Sequence, residues 1–497
     1  MPYKDLRTFL EALEAHGELK HISGANWNLE MGSIAEIAYR EGKEPKPAIL
    51  FDEIPGYPKG YRTLFNFMGP PWKVATILGL PENELDHMSL LQNWRKKVRE
   101  LRLIPPKFVT SAPMQANSDA GDEIDLFKFP SPRFHELDTL GRYIGTACLV
   151  IQRDPDNGWV NLGVYRIMVV DRDHLTLHAV EGQHGSIIAT KYFNQGRVMP
   201  IAVAIGVDPS FYVASATSIG WGVSEYDYAG GINGEPIEVI EGPYTGLPLP
   251  AAAEIVIEGE CHPGEVADEG PFGEWHGYYA NLRLEPVPEP LIRVKAIHYR
   301  DNPILTCAQI TVPPDYDTAE FYAITDSERL WGNLEGAGIA GIKGVWCHAV
   351  GCGRLFNVVS IEQLYAGHSQ KVGLVASQVS GELGRYTVVV EEDIDPSNLE
   401  QVIWAMETRA MPSHDTIQVI GHCRGTSADP SIPWAEKKKY PVPPKPLYSS
   451  RVIIDTCRSL EHKAEWYPIA KVSSKLRAEI IKKWGPVLST VLSTKSS

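Results

Sequence analysis

Between about residue 130 and residue 310 the chain alternates short apolar runs with turn signals and offers little helical periodicity. This β-rich middle constrains the fold more than any other feature. CLVIQRDPDNGWVNLGVYRIMVVDRDHLTLHAV reads as a meander with turns at DPDNG and DRDH, and IAVAIGV, EPIEVIE, EIVIEGE and LIRVKAIHY read as further strands. Such a run predicts a β-barrel or sandwich-like unit.

On both sides of it, helix and strand signals alternate. Upstream are an amphipathic helix with Leu6, Phe9, Leu10 and Leu13 on one face and Gly17 as its stop, the strand AILFDEI, and a helix near 87–100. PPKFVTSAPMQANSDAGDEID then reads as a linker. Downstream come the helical DTAEFYAITDSERLWGNLEGAG, the strands GVWCHAV, LFNVVSI, YTVVV and TIQVIG, helices near 364–382 and 397–409, and a last helix, SSKLRAEIIKKW, with a polar tail. The expected division of this mixed α/β chain is residues 1–115, 116–315 and 316–497. Its 497 residues suit about three domains.

Composition narrows the partners. Lys plus Arg number 47 and Asp plus Glu 62, a formal net charge of −15 without a basic tract. This disfavours nucleic acid or an anionic membrane as partner. No apolar run approaches the roughly 18–20 residues that span a bilayer, and the N-terminal helix lacks the core of a signal peptide. Seven scattered cysteines make no CxxC pair, which suits a reducing cytoplasm and argues against a thiolate zinc site. Gly336-Ala-Gly338-Ile-Ala-Gly341 matches GxGxxG, but a helix precedes it and a strand follows, the reverse of a dinucleotide fingerprint; it reads as a helix stop.

Chemistry concentrates in DEGPFGEWHGYY, residues 268–279. Glu269 and Glu274 are five apart, so an ideal strand would send them to opposite faces. Only a turn or bulge at Gly270-Pro271-Phe272-Gly273 can aim both at one place. Arg166 lies in an apolar strand and needs a carboxylate partner, for which either glutamate serves; on spacing alone a structural salt bridge between two strands is the plainer reading. Asn161, His184 (after Gln183) and Glu225 offer oxygen, imidazole and carboxylate, a set suited to Mn²⁺ or Mg²⁺ beside a phosphate, although their separations match no compact metal motif.

Asn161 to Arg166, Gln183-His184, GVSEYD, DEGPFGEWHGYY, KAIHYRDNPIL, GIKGVWCHAVGCGRLFNVVSI and VIWAMETRAMPSHDTIQV, in this order, resemble the UbiD family of prenylated-FMN-dependent reversible decarboxylases along essentially the whole chain. The resemblance implies an N-terminal α/β domain, a central split β-barrel that binds the flavin, and a C-terminal α/β domain that helps oligomerise. It implies Mn²⁺ (or Mg²⁺) on Asn161, His184 and Glu225, and K⁺ on the carbonyls of Trp159, Ala214, Ser215 and Thr217 with Glu225. Cofactor contacts would fall at Asn161, Gly163, Val164, Tyr165, Arg166, Gln183, His184, Glu225 and Lys371, the last as the phosphate lysine.

Glu269, Arg166 and Glu274 would form the catalytic network. Arg166 would hold Glu269 ionised and help orient the leaving carboxylate, and Glu274, partly buried, would shuttle the proton. Phe321 is read as facing the substrate, and an aromatic there in place of His or Lys removes one way of activating a phenolic acid. The expected substrate is an aromatic or heteroaromatic carboxylic acid, with CO₂ as the other small molecule. Decarboxylation of α,β-unsaturated, cinnamic-type acids and a non-catalytic flavin-binding subunit are the alternatives. The family further implies a flavin prenyltransferase as cofactor supplier and a cytoplasmic homo-oligomer, a dimer or a hexamer.

Overall fold

The computed structural model describes residues 3–42, 46–69, 71–217, 219–279, 285–312, 318–380, 384–412, 416–439 and 446–492. Pro313 to Asp317, just ahead of Phe321, and Ser413 to Asp415 in the late motif lie outside them.

The middle of the chain builds the largest sheet. Among the described residues its strands run, side by side, Arg142–Gly145, Arg166–Val169, His174–His178, Val287–Tyr299, Ile255–Glu269, Met199–Ile205, Cys148–Arg153 and Val160–Gly163. Two short links reveal its curvature. Gly145 and Cys148 lie near opposite ends of that order, as do Gly163 and Arg166, yet each pair is three residues apart in sequence. Three Cα steps reach at most about 11 Å, so the sheet must curl until its ends nearly meet. The result is a split barrel, and the Cys148 thiol donates to the carbonyl of Tyr165 across the seam at 3.3 Å.

Alternation on these strands feeds two cores. Cys148, Val150, Ile201, Val203, Ile255 and Ile257 point into one. Leu149, Ile151, Ala202, Ala204 and Val256 point into the other, which also receives Leu6, Leu90, Phe321 and Trp346 from the flanking units. With both faces buried, runs such as IAVAIGV have no polar positions to spare.

The N-terminal helices pack on a four-stranded sheet ordered Leu19–Ser23, Ala48–Asp52, Arg62–Phe65 and Ile304–Cys307. The expected first helix is Leu6–Ala15, its start fixed by reciprocal Asp5–Thr8 hydrogen bonds. Gly17 follows at φ +72°, the left-handed conformation of a helix stop. The C-terminal sheet runs Ile342–Cys347, Phe356–Ile361, Tyr386–Glu391, Tyr448–Asp455 and Ile417–Arg424, flanked by helices Ala319–Gly336, His368–Val379 and Leu399–Arg409. The GxGxxG match closes the first of these helices, with Gly338 and Gly341 at positive φ before the strand.

Two expectations are corrected. The supposed linker is built into the sheets: Lys107–Phe108 pairs with Glu238–Val239, and Asn117–Ala120 pairs with Ala296–Tyr299. Its polar side chains hid two stretches of backbone that are paired into sheets. The middle region is also less purely β than its pattern, because it holds helices His184–Asn194, Pro209–Ala216 and Glu225–Asn233. Pro209–Ala216 is buried on nearly every side, so it has no amphipathic period to read. Its one signal was Asp208-Pro209, an N-cap followed by proline in the first turn.

Candidate active site

The segment Asn161–Arg166 crosses the barrel seam, and two glycines make room for it. A Cβ on Gly163 would lie 2.1 Å from the Tyr165 ring, and one on Gly185 2.4 Å from the same ring. Tyr165 fills both places. Its hydroxyl accepts from the Gly185 backbone N–H at 2.8 Å and from Asn161 Nδ2 at 3.4 Å. The start of helix His184–Asn194 is thereby pinned beside the end of strand Val160–Gly163. Gln183 closes the turn before it, its Oε1 accepting from the Val180 N–H at 2.9 Å.

A cavity of about 460 Å³ opens there, lined by Asn161, Gly163, Val164, Tyr165, Gln183, His184 and Glu225 among others. Glu225 begins helix Glu225–Asn233 and is 3% exposed. Its Oε2 accepts from the Leu162 N–H at 2.9 Å, and no cationic side chain reaches it among the described residues. Burial pushes its carboxyl up to about 8. The His184 imidazole lies between Trp159 and Trp221, with centroids 5.3 and 5.1 Å away, and burial lowers its pKa. A buried carboxylate lacking a cation, a neutral imidazole and an amide form a donor set that a divalent ion would complete.

The carbonyl set is only partly assembled. Ser215 and Thr217 line the cavity where helix Pro209–Ala216 ends, presenting the negative end of a helix. Ala214 and Trp159 do not line it, and the Trp159 carbonyl accepts from the Asp154 N–H at 2.7 Å.

Lys371 is not brought to this site. It sits exposed near the start of helix His368–Val379, while that helix touches the cavity only at Val379, eight residues and about 12 Å further along. The cations lining the cavity are instead Arg329, Arg354 and Arg424. Phe321 is likewise corrected: at 1% exposure it belongs to the core, and the next residue, Tyr322, faces the cavity with the Arg354 guanidinium 4.3 Å from its ring centre. On a helix one residue is about 100° of rotation, enough to exchange core for cavity. Apart from the neighbouring Phe321, no local signal marked Tyr322 or the arginines.

A second cavity of about 420 Å³ holds Arg166, Glu269 and Glu274. Glu269 ends the long strand Ile255–Glu269 and is 2% exposed; Arg166 grips it through Nε and Nη2, each at 2.8 Å. Arg166 Nη1 also lies 3.5 Å from Glu274 Oε1. The Gly270–Gly273 turn thus brings both carboxylates to one guanidinium, which rests 4.6 Å over the Phe272 ring. Gly270 has φ +87° and Gly277 φ +84°, so a side chain at either position would be strained. Burial opposes the charge of Glu269, but Arg166 outweighs it and holds the carboxyl below the usual range. Burial equally opposes the charge of Arg166, which Glu269 and Glu274 more than offset.

The loop is anchored on both sides. The Tyr279 hydroxyl donates to Asp138 Oδ1 at 2.7 Å, and His276 Nε2 donates to the Ala428 carbonyl at 2.6 Å. Phe272 packs 4.2 Å from the Tyr143 ring.

Comparison with known proteins agrees with this architecture. The N-terminal, Rift-related and C-terminal domains described as 3-octaprenyl-4-hydroxybenzoate carboxy-lyase match residues 10–89, 107–313 and 321–456. The pyrrole-2-carboxylic acid decarboxylase of Pseudomonas aeruginosa is 32% identical over 430 residues, 83% of this chain and 84% of that protein. The UbiD-class enzyme HmfF from Pelotomaculum thermopropionicum, solved in complex with FMN, superposes with a TM-score of 0.80 at 26% identity, covering 94% of this chain and 97% of that one. The vanillic acid decarboxylase of Sedimentibacter hydroxybenzoicus in its closed form gives 0.81 at 27% identity over 99% of both chains. With these matches spanning most of the chain and both cavities, the chain belongs to the UbiD family of carboxy-lyases.

Proposed function

We propose that this chain is a prenylated-FMN-dependent, reversible decarboxylase of an aromatic or heteroaromatic carboxylic acid. The observation that carries the reading is the buried Glu269–Arg166–Glu274 network at the seam, one residue from a cavity whose donor set lacks only a cation. The relatives named for pyrrole-2-carboxylic and vanillic acids support the substrate class. Retention of both glutamates and the arginine speaks against a non-catalytic subunit.

Asn161, His184 and Glu225 would hold Mn²⁺ or Mg²⁺ beside the cofactor phosphate, with Ser215, Thr217 and Glu225 toward K⁺. Gly163, Val164, Tyr165 and Gln183 would border the flavin, and Arg329, Arg354 and Arg424 supply cationic charge in the same cavity. When bound, the prenylated flavin supplies the electron sink for loss of CO₂. The residues of the chain do the rest. Arg166 orients the departing carboxylate, its own charge secured by Glu269. Glu274, 3.5 Å from Arg166, delivers a proton to the carbon that CO₂ has left, and in carboxylation takes one away. Phe272, beside Glu274 in the same cavity, gives the substrate ring an apolar wall.

Residues 1–115, 116–315 and 316–497 are the working units of this reading. An exposed apolar stripe on helix Ser474–Leu492, with Leu476, Ile480, Trp484 and Val487, supports a homo-oligomer. Among the described residues no disulfide joins the cysteines, which supports a reducing, cytoplasmic setting where a flavin prenyltransferase supplies the cofactor. Among the described residues no helix is long and apolar enough to cross a membrane.

The test is co-expression with a flavin prenyltransferase, followed by mass spectrometry of the bound flavin and assays of CO₂ release and deuterium exchange on a panel of aromatic acids. Glu274→Gln should retain flavin and lose turnover. Full activity in that variant would sink the proton-delivery role, and an inactive, flavin-loaded wild type would sink the substrate class.

A further inference from the structure

Three neighbouring strands of the central sheet carry a row of ionisable side chains across the Glu274 cavity. His178 ends strand His174–His178 and is the cross-strand partner of Arg166. On its other side, two residues beyond the pairing of Thr176 with Leu291, Glu289 meets it: His178 Nδ1 lies 2.8 Å from Glu289 Oε1. Directly opposed residues of antiparallel strands share a face, with Cβ atoms roughly 4.5–5.5 Å apart. Arg166, His178 and Glu289 therefore stand side by side, and all three line the cavity that holds Glu269 and Glu274. Strand alternation sends Leu177 the other way, into the barrel core.

The carboxylate of Glu289 accepts, so the proton in this hydrogen bond is the imidazole's Nδ1–H. Among the described residues no other group bonds to the His178 ring, and its side chain keeps 24% of its exposure. The Nε2 edge is what the ring offers to the cavity. In the neutral ring that atom is an acceptor, oriented as in a histidine base whose Nδ1–H is held by a carboxylate. Pro271, Phe272 and Val287 supply apolar surface to the same cavity, which suits an aromatic ring. With the substrate carboxylate on Arg166, the cross-strand spacing sets the His178 imidazole beside an adjoining position of that ring.

We propose that His178, held by Glu289, is a specificity-determining residue: its Nε2 accepts a hydrogen bond from a ring N–H or O–H next to the carbon that bears the carboxylate. This rests on the decarboxylase reading for the role of Arg166. Selectivity arises because an acid with an accepting atom at that position sets one lone pair against another in a partly desolvated site, a larger penalty than losing one apolar contact.

The experiment is calorimetric titration of flavin-loaded wild type, His178→Leu, His178→Gln and Glu289→Gln with two pairs of acids of similar shape, alongside CO₂ release from each. The pairs are pyrrole-2-carboxylate against furan-2-carboxylate and 2-hydroxybenzoate against 2-fluorobenzoate. Wild type should favour the donor-bearing member of at least one pair by at least about tenfold, about 1.4 kcal/mol. His178→Leu should erase that preference. His178→Gln, whose Oε1 accepts from about the place of Nε2, should keep part of it. Glu289→Gln should weaken it, because an amide N–H can donate to Nδ1 and leave Nε2 carrying the proton. No preference in wild type, the opposite preference, or one that stays at full strength in His178→Leu or Glu289→Gln overturns the proposal. So does equal loss of both members of a pair in His178→Leu, the mark of a pair that only ties two strands together. If the His178-dependent preference holds but no acid releases CO₂, the decarboxylase reading fails and the assignment of His178 stands.

Discussion

Replacing Arg166 by Met keeps a long side chain but removes the guanidinium that Glu269 and Glu274 share. Glu269 is 2% exposed and loses two hydrogen bonds of 2.8 Å. Breaking a buried ion pair from one side typically costs about 3–5 kcal/mol, because the remaining charge stays desolvated. For a unit of about 200 residues that corresponds to a fall in Tm of roughly 6–20 °C. In the wild type the Glu269 carboxyl is held below its ordinary value, so the pair contributes stability above the unfolded carboxylate range near about 4.3 and loses it as pH falls through the folded value. Without Arg166, burial dominates and the carboxyl titrates upward. Protonation then relieves the strain, so the gap between variant and wild type should narrow from pH 8 to pH 5. Scanning fluorimetry at both pH values checks this, and adding Glu269→Gln to the variant should recover part of the loss. A Tm within about 1 °C of wild type at pH 8 would refute the account of the pair as a buried, mutually dependent unit.

Other expectations follow from single contacts. If the proposed metal site is right, Glu225→Gln should lower bound manganese at least about tenfold by elemental mass spectrometry without lowering the Tm of metal-free protein, since burial already favours the uncharged form of that carboxyl. Gly163→Ala places a Cβ 2.1 Å from the Tyr165 ring; denaturation should show a loss of about 1–3 kcal/mol, and flavin content at purification should fall. Lys371→Ala should leave flavin content unchanged, whereas Arg424→Ala should reduce it, measured by flavin absorbance per protein.

Much of this molecule follows from local rules. The helix Leu6–Ala15 announces itself by four apolar positions on one face and a Gly17 stop, and the structure adds Asp5 as its N-terminal cap. The strands of the middle region announce themselves by β-branched runs between turns. Arg166 in an apolar strand demanded an acid, and the five-residue spacing of Glu269 and Glu274 demanded a turn; both demands are met in one network. Where local rules misled, the contacts were long-range. Asn117–Ala120 is polar in composition yet paired to Val287–Tyr299, and helix Pro209–Ala216 has no exposed face to give it a period.

By itself, then, the sequence determined the classes of the three units, the first helix with its glycine stop, and the demand of Arg166 for a carboxylate partner, because propensity, periodicity and unpaired charge act over a few residues. Only the tertiary structure decided that Gly163 and Gly185 share one tyrosine, that Tyr322 and not Phe321 meets the cavity, and that Lys371 stands away from it. Those outcomes depend on how a curled sheet closes and on about 100° of helix rotation against a neighbouring unit. Packing of distant segments sets both, and no single window of sequence contains it.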